Sequence, residues 1–322
     1  MDGTATAGYR KLIELGIALS AERNNNRLME KILLGAKDMT CADGGTLYLV
    51  TEDQQALRFE IMRNDTLQVA MGGTTGQKIP FPPVRLYDDQ GHGNHRNIST
   101  HVALTGNLVA IVDAYDVKDF DFSGTKAFDA KTGYRSQSFL TVPLKNHDQA
   151  VIGVLQLINA RDDDNQVVPF GDEIIPLIEA LASQAAVALD NQQLLEAQRN
   201  LFRAFIQVIA GAIDAKSPYT GGHCNRVPEL TTMLAKAAVA ADSGPLADFT
   251  MGDEEWYELE VAAGLHDCGK VTTPEYVVDK ATKLETIYNR IHEIRTRFEV
   301  VKRDVEIAYL QGVIKGERPE AE

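Results

Sequence analysis

Several features that would assign a chain to a membrane or secreted class are missing here. No apolar run approaches the ~20 residues that a bilayer-spanning helix needs, and Met1–Arg10 lacks the basic-then-apolar pattern of a secretory signal. The three cysteines, Cys41, Cys224 and Cys268, are too few and too scattered for a disulfide framework. We therefore expect a cytoplasmic protein with no membrane partner.

The chain also has fewer basic than acidic residues. Lys and Arg number 32 against 46 Asp and Glu, which gives a formal net charge of −14. A nucleic-acid-binding surface draws its affinity from Lys and Arg on phosphates, so we expect no nucleic-acid partner. A small phosphorylated ligand is compatible with this charge, because a local basic pocket or a metal can outweigh the global field.

What the chain does have is length and a change of pattern along it. Its 322 residues suit about two domains, and 44% hydrophobic with 24% charged residues is the balance of a globular protein. In the first half a helical pattern, interrupted at 22–27, is followed by alternating runs and by a Gly- and Pro-rich loop over a possible pocket. Helices with antiparallel strands predict an α+β sandwich. The helical pattern covers 9–39, the strand runs 46–50, 57–61, 138–144 and 151–158, and the loop 72–97.

Residues 174–213 have the pattern of one long helix. Two rows repeat every seven residues with an offset of four, which is an a/d-type seam. This seam predicts a connecting helix whose first half packs on its own domain and whose second half pairs with a second chain in a homodimer. A helix that packs its stripe only on its own domain is the alternative. The rows are Ile174, Leu181, Ala188, Leu195, Phe202 and Ile209, and Ile178, Ala185, Gln192, Arg199, Ile206 and Ile213.

The second half carries only helical patterns, and the chemically suggestive residues lie there. His266 and Asp267 are adjacent, Lys270 follows, and His223 opens an earlier helix. A histidine and a carboxylate at a helix end can hold a divalent ion, an Asp can bridge two ions, and a Lys can meet a phosphate. A surface His-Asp dipeptide is the alternative, but the apolar run 261–265 before it favours a functional pair, because unpaired polar groups there are costly.

Two segments, 214–227 (DAKSPYTGGHCNRV) and 264–271 (GLHDCGKV), resemble the HD-domain phosphohydrolases. The nearest group is the HD-GYP type, whose members are typically cyclic di-GMP phosphodiesterases. The resemblance implies that His223, His266 and Asp267 are metal ligands. It also implies that Asp267 and Lys270 are catalytic, with Lys270 on the phosphate or the nucleophilic water. The implied cofactor is a divalent metal, Fe or Mn, in a two-metal site, and the implied substrate is a small nucleotide-type molecule.

The chain departs from this pattern in two ways. Tyr219 stands where some members have a Glu that helps to hold a third metal, so a two-metal site is the expectation. The family's further ligands are a single His, a His-His pair, an Asp and the Gly-Tyr-Pro loop, and the last three of these are absent downstream. His292 is the only later histidine, and its surroundings resemble an inserted helix rather than a ligand helix. We therefore expect an incomplete HD domain, and whether the chain is an enzyme stays open.

The first half resembles GAF domains in five short segments. They are 42–49 (ADGGTLYL), 113–116 (DAYD), 132–136 (TGYRS), 141–144 (TVPL) and 153–159 (GVLQLIN). GAF domains bind cyclic nucleotides, haem, bilins or other small molecules, or only dimerise. The cyclic-nucleotide pattern is partial here, since Asn159 is followed by Ala160 and 170–173 is compressed. His92, His95, His101 and Cys41 do not have the surroundings expected of haem or bilin attachment.

Together the resemblances imply an α+β chain: an antiparallel-sheet GAF sandwich, a long connecting helix, then a partial all-α HD domain. The expected boundaries are an N-terminal helix over 1–24, the sensor over 25–195, the connecting and dimerisation helix over 174–213 and the HD segment over 200–322. One hypothesis is a signalling phosphodiesterase that hydrolyses cyclic di-GMP under control of the sensor. The alternative is a ligand-binding GAF sensor and dimeriser with an inactive HD segment. A phosphohydrolase of nucleotides or alarmones is a third.

Overall fold

The computed structural model describes residues 3–216, 222–278, 282, 284 and 288–317. The chain divides into two compact units, Met1–Ala197 and Gln198–Glu322. The first unit is mixed α and antiparallel β, and the described part of the second is helical, as the patterns predicted. In the described ranges no helix has the length and apolar character needed to span a membrane.

The first unit has eight strands and five helices, the last of which continues into the second unit. The helices are α1 (Gly3–Ser20), α2 (Asn25–Thr40), α3 (Ile98–Thr105), α4 (Ser123–Thr132) and α5 (Ile175–Lys216). The strands are β1 (Ala42–Val50), β2 (Ala56–Asn64), β3 (Val69–Gly72), β4 (Val84–Arg85), β5 (Val109–Ile111), β6 (Phe139–Lys145), β7 (Val151–Arg161) and β8 (Val167–Val168).

The strands form one antiparallel sheet in the order β3-β2-β1-β7-β6-β5, with β4 beside β2 and β8 beside β7. Strand β1 is central, and its Leu47 lies opposite Ile61 on one side and Leu155 on the other. The predicted hairpin of β6 and β7 is confirmed, with Leu140 opposite Leu157. Asn146 caps its turn by accepting hydrogen bonds from the backbone N–H groups of Asp148 and Ala150, which is why a polar turn was recognisable between two apolar runs.

Alternation along the strands gives the sheet two different faces. Leu47 and Leu49 of β1, with Leu155 of β7, point to one face and join the main apolar core under α1, α2 and α5. Tyr48, between them, points to the other face, which α3, α4 and the 72–97 loop cover. Each fully buried Leu or Ile in the main core contributes about 1.5–3 kcal/mol by leaving water. One face of the sheet therefore supplies the main core, and the other is available for a site.

Helix α4 was not predicted. Its sequence, SGTKAFDAKT, has no apolar stripe of helical spacing, so periodicity gives no signal. Its position is set by polar contacts: buried Asp129 accepts hydrogen bonds from the Tyr115 hydroxyl (2.9 Å) and from the backbone N–H (2.8 Å) and hydroxyl (2.9 Å) of Ser136. Tertiary contacts thus order a segment that propensity leaves undecided.

The buried residues of the two heptad rows of the long helix pack within their own units. Ile178, Leu181 and Ala185 are buried in the main core of the first unit. In the second unit Ile206 and Ile213 are buried, while Phe202 is exposed. The part of the prediction in which the first half packs on its own domain is confirmed, because those residues face the sheet. Pairing with a second chain stays a prediction.

In its described residues the second unit contains the rest of α5 and four further α-helices. They are α6 (His223–Val239), α7 (Asp253–Leu265), α8 (Glu275–Val278) and α9 (Ile291–Ile314). Arg203 donates from Nε to Glu260 Oε1 and from Nη2 to Glu260 Oε2, both at 3.0 Å, and this bidentate ion pair joins the second half of α5 to α7. The last of these helices begins at Ile291. Tyr219 lies outside the described residues.

Candidate functional site

The second unit brings His223, His266 and Asp267 together. His266 Nε2 lies 3.2 Å from His223 Nε2 and 3.2 Å from Asp267 Oδ2, and His223 Nε2 lies 3.5 Å from Asp267 Oδ2. In the described part of the chain this is the group of His, Cys, Asp and Glu side chains whose ligand atoms could share one ion. The three residues named from the sequence as metal ligands are therefore neighbours in space.

Helix ends position these side chains. His223 is the first residue of α6, and His266 follows the last residue of α7. The Nδ1 of His266 lies 2.7 Å from the backbone oxygen of Ala263. A backbone oxygen can only accept, so it holds the proton on Nδ1 and leaves the Nε2 lone pair facing the cluster. Such a backbone partner is the usual way in which a metal-ligating imidazole is oriented.

The spacing of the three atoms fits a divalent ion. Donors bound at about 2.1 Å from one ion lie about 3.0–3.4 Å apart in octahedral or tetrahedral arrangements. Two of the observed separations, 3.2 Å each, lie within that range, and the third, 3.5 Å, lies just above it. Two imidazole nitrogens and one carboxylate oxygen suit Fe, Mn or Zn, and they leave positions on such an ion for water or substrate. The donor set and its geometry agree with the metal that the resemblance implies.

Asp267 is ionised in this arrangement. Partial burial acts to raise the pKa of its carboxyl, but the hydrogen bond from Lys270 and the charge of that lysine outweigh it, so the pKa lies below its usual value. Lys270 Nζ donates to Asp267 Oδ2 at 2.6 Å. The residue expected to meet phosphate thus lies beside the carboxylate expected to hold metal.

The neighbouring cysteines differ from the ligand set. Burial, followed by the Asp214 carboxylate, raises the pKa of the Cys224 thiol to about 11, so it is a neutral, buried side chain. Cys268 is exposed and lies outside the group of ligand atoms. His292 lies on α9 and is not part of that group either.

The first unit has a cavity of about 370 Å³ on the face of the sheet opposite the main core. Its floor is formed by the outward-facing residues of β1 and β7, and its walls by β2, the starts of α3 and α4, and the 72–97 loop. Aromatic side chains dominate the walls. The lining includes Thr46, Tyr48, Phe59, Met62, Arg63, Phe81, Ser99, Asp121, Phe122, Gly124, Thr125, Phe128, Tyr134, Phe139, Gln156 and Ile158.

The cavity floor carries neutral hydrogen-bonding groups. The Tyr48 hydroxyl lies 3.4 Å from Gln156 Oε1, and Gln156 Nε2 donates to Thr141 Oγ1 at 3.3 Å. Burial raises the pKa of Tyr48 to about 12, although Ser99 and Thr46 act to lower it, so its hydroxyl keeps its proton. The floor can therefore both donate to and accept from a ligand.

Two helix N-termini face the cavity. Residues at the start of α3 and of α4 line it, and the Asp121 carboxylate accepts a hydrogen bond from the first backbone N–H of α4, that of Ser123 (2.9 Å). Arg63 also lines the cavity, but its guanidinium is paired with Glu30 and with the backbone oxygen of Met71. At the start of α3, Asn97 Oδ1 accepts hydrogen bonds from the backbone N–H groups of Ser99 and Thr100. Both helix starts are therefore already capped by side chains, and Arg63 is already paired.

The histidines considered for haem lie elsewhere. His95 Nδ1 and His101 Nδ1 are 3.3 Å apart, and neither residue lines the cavity. Of the cavity walls, only the loop 72–97 over a possible pocket was predicted from the sequence, and residues of this loop do line the cavity. The alternation of β1 signals that Thr46 and Tyr48 share a face, but helix starts and loop residues far apart in the chain complete the walls, and no local pattern predicts their convergence.

Comparison with known proteins decides the family of the first unit. A family model described as "GAF domain" matches residues 24–189, about half of the chain. The chain belongs to the GAF domain family. It is also 28% identical over 174 residues to the cGMP-specific 3',5'-cyclic phosphodiesterases of Drosophila sechellia and Drosophila melanogaster. The match covers 52% of this chain but only 13% and 14% of those two proteins.

Solved GAF structures resemble the same part of the chain. The GAF domain of an Acinetobacter phosphoenolpyruvate-protein phosphotransferase has 14% identity and a TM-score of 0.43, covering 61% of this chain and 99% of that one. The corresponding domain from Coxiella burnetii has 12% identity and a TM-score of 0.45, covering 60% and 98%. The GAF resemblance seen in the sequence is confirmed. These comparisons do not extend to the HD segment, so that part of the resemblance stays a prediction.

Proposed function

We propose that this chain is a signalling protein in which a ligand-binding GAF domain is joined to a metal-binding segment of HD phosphohydrolase type. For the GAF domain the proposed ligand is a cyclic nucleotide or a similar small nucleotide. The observation that carries this is the cavity: its aromatic walls suit a planar base, and its neutral floor suits a base edge. The similarity to cGMP-specific phosphodiesterases in this region supports the same class.

Titration calorimetry on the full chain with cGMP, cAMP and non-cyclic GMP tests the sensor. Phe81 lines the cavity, stacks near Phe59 with ring centroids 5.7 Å apart, and is 42% exposed. Loss of base stacking in Phe81→Ala should weaken binding about tenfold or more. Phe249→Ala is the matched control, because Phe249 is 41% exposed but lies in the second unit. If none of the three nucleotides gave a heat of binding, the proposal that the GAF domain binds a nucleotide would be wrong.

For the second unit we propose phosphodiester hydrolysis, with cyclic di-GMP as the substrate. The His223–His266–Asp267 cluster carries this proposal. A bound divalent metal would supply Lewis acidity and an activated water. The chain's own groups would do the rest: Ala263 holds the His266 tautomer, Asp267 stays ionised, and Lys270 stabilises negative charge that develops on the phosphate.

The test is incubation of the full chain with Mn²⁺ or Fe²⁺ and cyclic di-GMP, with chromatography for the linear dinucleotide. Product should vanish in His266→Ala with Asp267→Ala and persist in His292→Ala, a matched histidine outside the cluster. Absence of product, with metal bound at less than one equivalent, would favour the second candidate function. That candidate is a GAF sensor whose HD segment is catalytically inactive, and it follows from the missing downstream ligands.

A further inference from the structure

Two histidines of the first unit, His95 and His101, meet beside the cavity without lining it. His95 lies in the 72–97 loop and His101 on α3. Their Nδ1 atoms are 3.3 Å apart, and the planes of the two rings are nearly perpendicular, at 75°. The rings therefore meet through two nitrogen atoms rather than by stacking. His95 is exposed and His101 is half-buried, so water and ions reach the pair.

The backbone on both sides of His95 is tied to the helix that carries His101. Thr100 Oγ1 donates a hydrogen bond to the backbone oxygen of Asn94 at 2.5 Å. Asn97 Oδ1 accepts a hydrogen bond from the backbone N–H of Thr100 at 3.3 Å. The end of the loop is thus held against the first turn of α3, and no rearrangement of the loop is needed to bring the two rings together.

Packing fixes the far side of each ring. A Cβ at Gly93 would lie 2.9 Å from His95 Nε2, so the glycine makes room for this imidazole. Phe120 packs edge to face against His101, with ring centroids 5.2 Å apart and an angle of 82° between the planes. Each ring is therefore held from behind while its Nδ1 atom faces the other ring. Side chains that are positioned in this way are suited to hold an ion.

The separation of the two nitrogen atoms is that of two ligands on one metal ion. Imidazole nitrogens bind Zn²⁺ at about 2.0–2.1 Å, so two of them in a tetrahedral site lie about 3.3–3.4 Å apart. Nitrogen ligands favour Zn²⁺, Ni²⁺ or Cu²⁺ over Mn²⁺, Mg²⁺ and Ca²⁺, which prefer oxygen. The pair offers two ligands, one fewer than the His223–His266–Asp267 cluster, so water would fill the remaining positions on the ion.

A hydrogen bond between the two rings is the other use of this geometry. In that case one neutral ring donates from Nδ1 to the Nδ1 of the other. At a position that water reaches, such a bond contributes little to stability, because each ring can bond to water instead. An ion would use the lone pairs of both Nδ1 atoms, and each ring would then carry its proton on Nε2. The two uses therefore differ in whether the pair responds to zinc.

We propose that His95 and His101 bind a divalent transition-metal ion of the Zn²⁺ class through their Nδ1 atoms. The ion joins the 72–97 loop to α3. Because Phe81 of this loop and Ser99 of α3 both line the cavity, the ion also fixes one edge of the cavity wall. The proposal is independent of which ligand the cavity takes and of whether the HD segment is active.

Titration calorimetry of the full chain with Zn²⁺ tests this. A background variant with His266→Ala and Asp267→Ala disables the cluster of the second unit, and it should still bind Zn²⁺ but not Mn²⁺. Adding His101→Gln should weaken zinc binding at least about tenfold, because loss of a ligand costs at least as much as loss of an outer partner. His147→Gln is the matched control, since His147 is 68% exposed in the same unit. Absence of zinc binding by the background variant, or binding that survives His101→Gln, would overturn the proposal.

Hydrogen exchange locates the ion and shows whether each variant is folded. With Zn²⁺, peptides that cover 88–105 should exchange more slowly in the background variant but not after His95→Gln, while peptides from β6 and β7 stay unchanged in both. His92→Gln should keep this protection, because His92 Nδ1 lies 3.3 Å from Asp88 Oδ2 and belongs to a separate pair. Protection that persists after His95→Gln would mean that the ion binds elsewhere. If zinc gave no protection at all, the two rings would share only a hydrogen bond, and the proposal would be wrong.

Discussion

The two units hold their candidate sites in contrasting ways. In the first, three helices and the central strands share one large apolar core, and the cavity lies on the opposite face of the same sheet. In the described part of the second, the buried cluster is small and consists of Ala210, Ile213 and Cys224. Leu234 and Phe298 are each 73% exposed there. The cavity is therefore supported by a densely packed fold, whereas the His-His-Asp cluster lies on helix ends with little apolar support.

This difference teaches which site needs its ligand for stability. A cavity opposite a filled core persists without its occupant, because the core has already offset the entropy of ordering the chain. A cluster of two histidines and an aspartate on lightly packed helix ends gains much of its order from an ion that joins them. We expect removal of the ligand to lower the stability of the first unit only slightly, and removal of the metal to lower the stability of the second unit strongly.

The largest expected effect is loss of core packing in the first unit. Leu47 is fully buried at the centre of the sheet, so Leu47→Ala should lower the free energy of unfolding by about 2–5 kcal/mol. Leu234→Ala, on an exposed surface of α6, should change it by less than about 0.5 kcal/mol. Urea denaturation followed by far-UV circular dichroism measures both. Comparable losses in the two variants would mean that the contrast between the units is wrong.

Metal should act next in size, and in the second unit. At a free concentration of 100 times its dissociation constant, Mn²⁺ should stabilise that unit by about 2.7 kcal/mol. The chain's single tryptophan, Trp256, lies on α7, so tryptophan fluorescence reports this unit alone. The midpoint of thermal unfolding should be higher with Mn²⁺ than with a chelator, both for the unmodified chain and for His292→Ala. For His266→Ala the two midpoints should be equal. If Mn²⁺ still raised the midpoint of this variant, the metal would bind at another site.

The sequence predicts the elements that local patterns determine, and it does not predict those that depend on contacts between distant parts of the chain. Strand alternation and helical periodicity are local, so β1, the β6–β7 hairpin and the long helix could be predicted within a few residues. Helix α4 could not, because Asp129 anchors it through contacts with Tyr115 and Ser136 that its own sequence does not encode. Its absence from the prediction also hid one wall of the cavity.

The two candidate sites differ in the same way, because a local motif indicated one of them and not the other. His223, His266 and Asp267 could be named because their motif resembles a family whose ligands occur at those positions, and the structure brings them together. Tyr48 and Gln156 of the cavity lie in two of the segments that resemble GAF domains, but neither segment alone indicates a cavity, because strands far apart in the chain bring the two residues side by side. Residue types at a spacing indicate chemistry, whereas a cavity requires the tertiary fold.

The smallest expected effect compares one ion pair from each unit. Glu30 pairs with Arg63, whose side chain is only 8% exposed, and Thr74 also donates to it at 2.5 Å. Burial acts to raise the pKa of Glu30, but the bonds from Thr74 and Arg63 lower it below its usual value. A lowered folded-state pKa means that this stability is present above the unfolded-state pKa and is lost as pH falls through the folded-state value. Glu30→Gln should therefore cost about 1–2 kcal/mol at neutral pH and flatten the acid limb of the stability curve.

Glu260→Gln is the matched change in the second unit. Its partner Arg203 is 42% exposed and Glu260 is 46% exposed, so water screens the pair. The expected cost is about 0–0.5 kcal/mol. Tryptophan fluorescence across a pH series measures this variant, and hydrogen exchange of peptides from α2 and β2 measures Glu30→Gln. If Glu260→Gln proved the more costly of the two, polar contacts rather than apolar packing would stabilise the second unit, and the comparison between the units would have to be rebuilt on that basis.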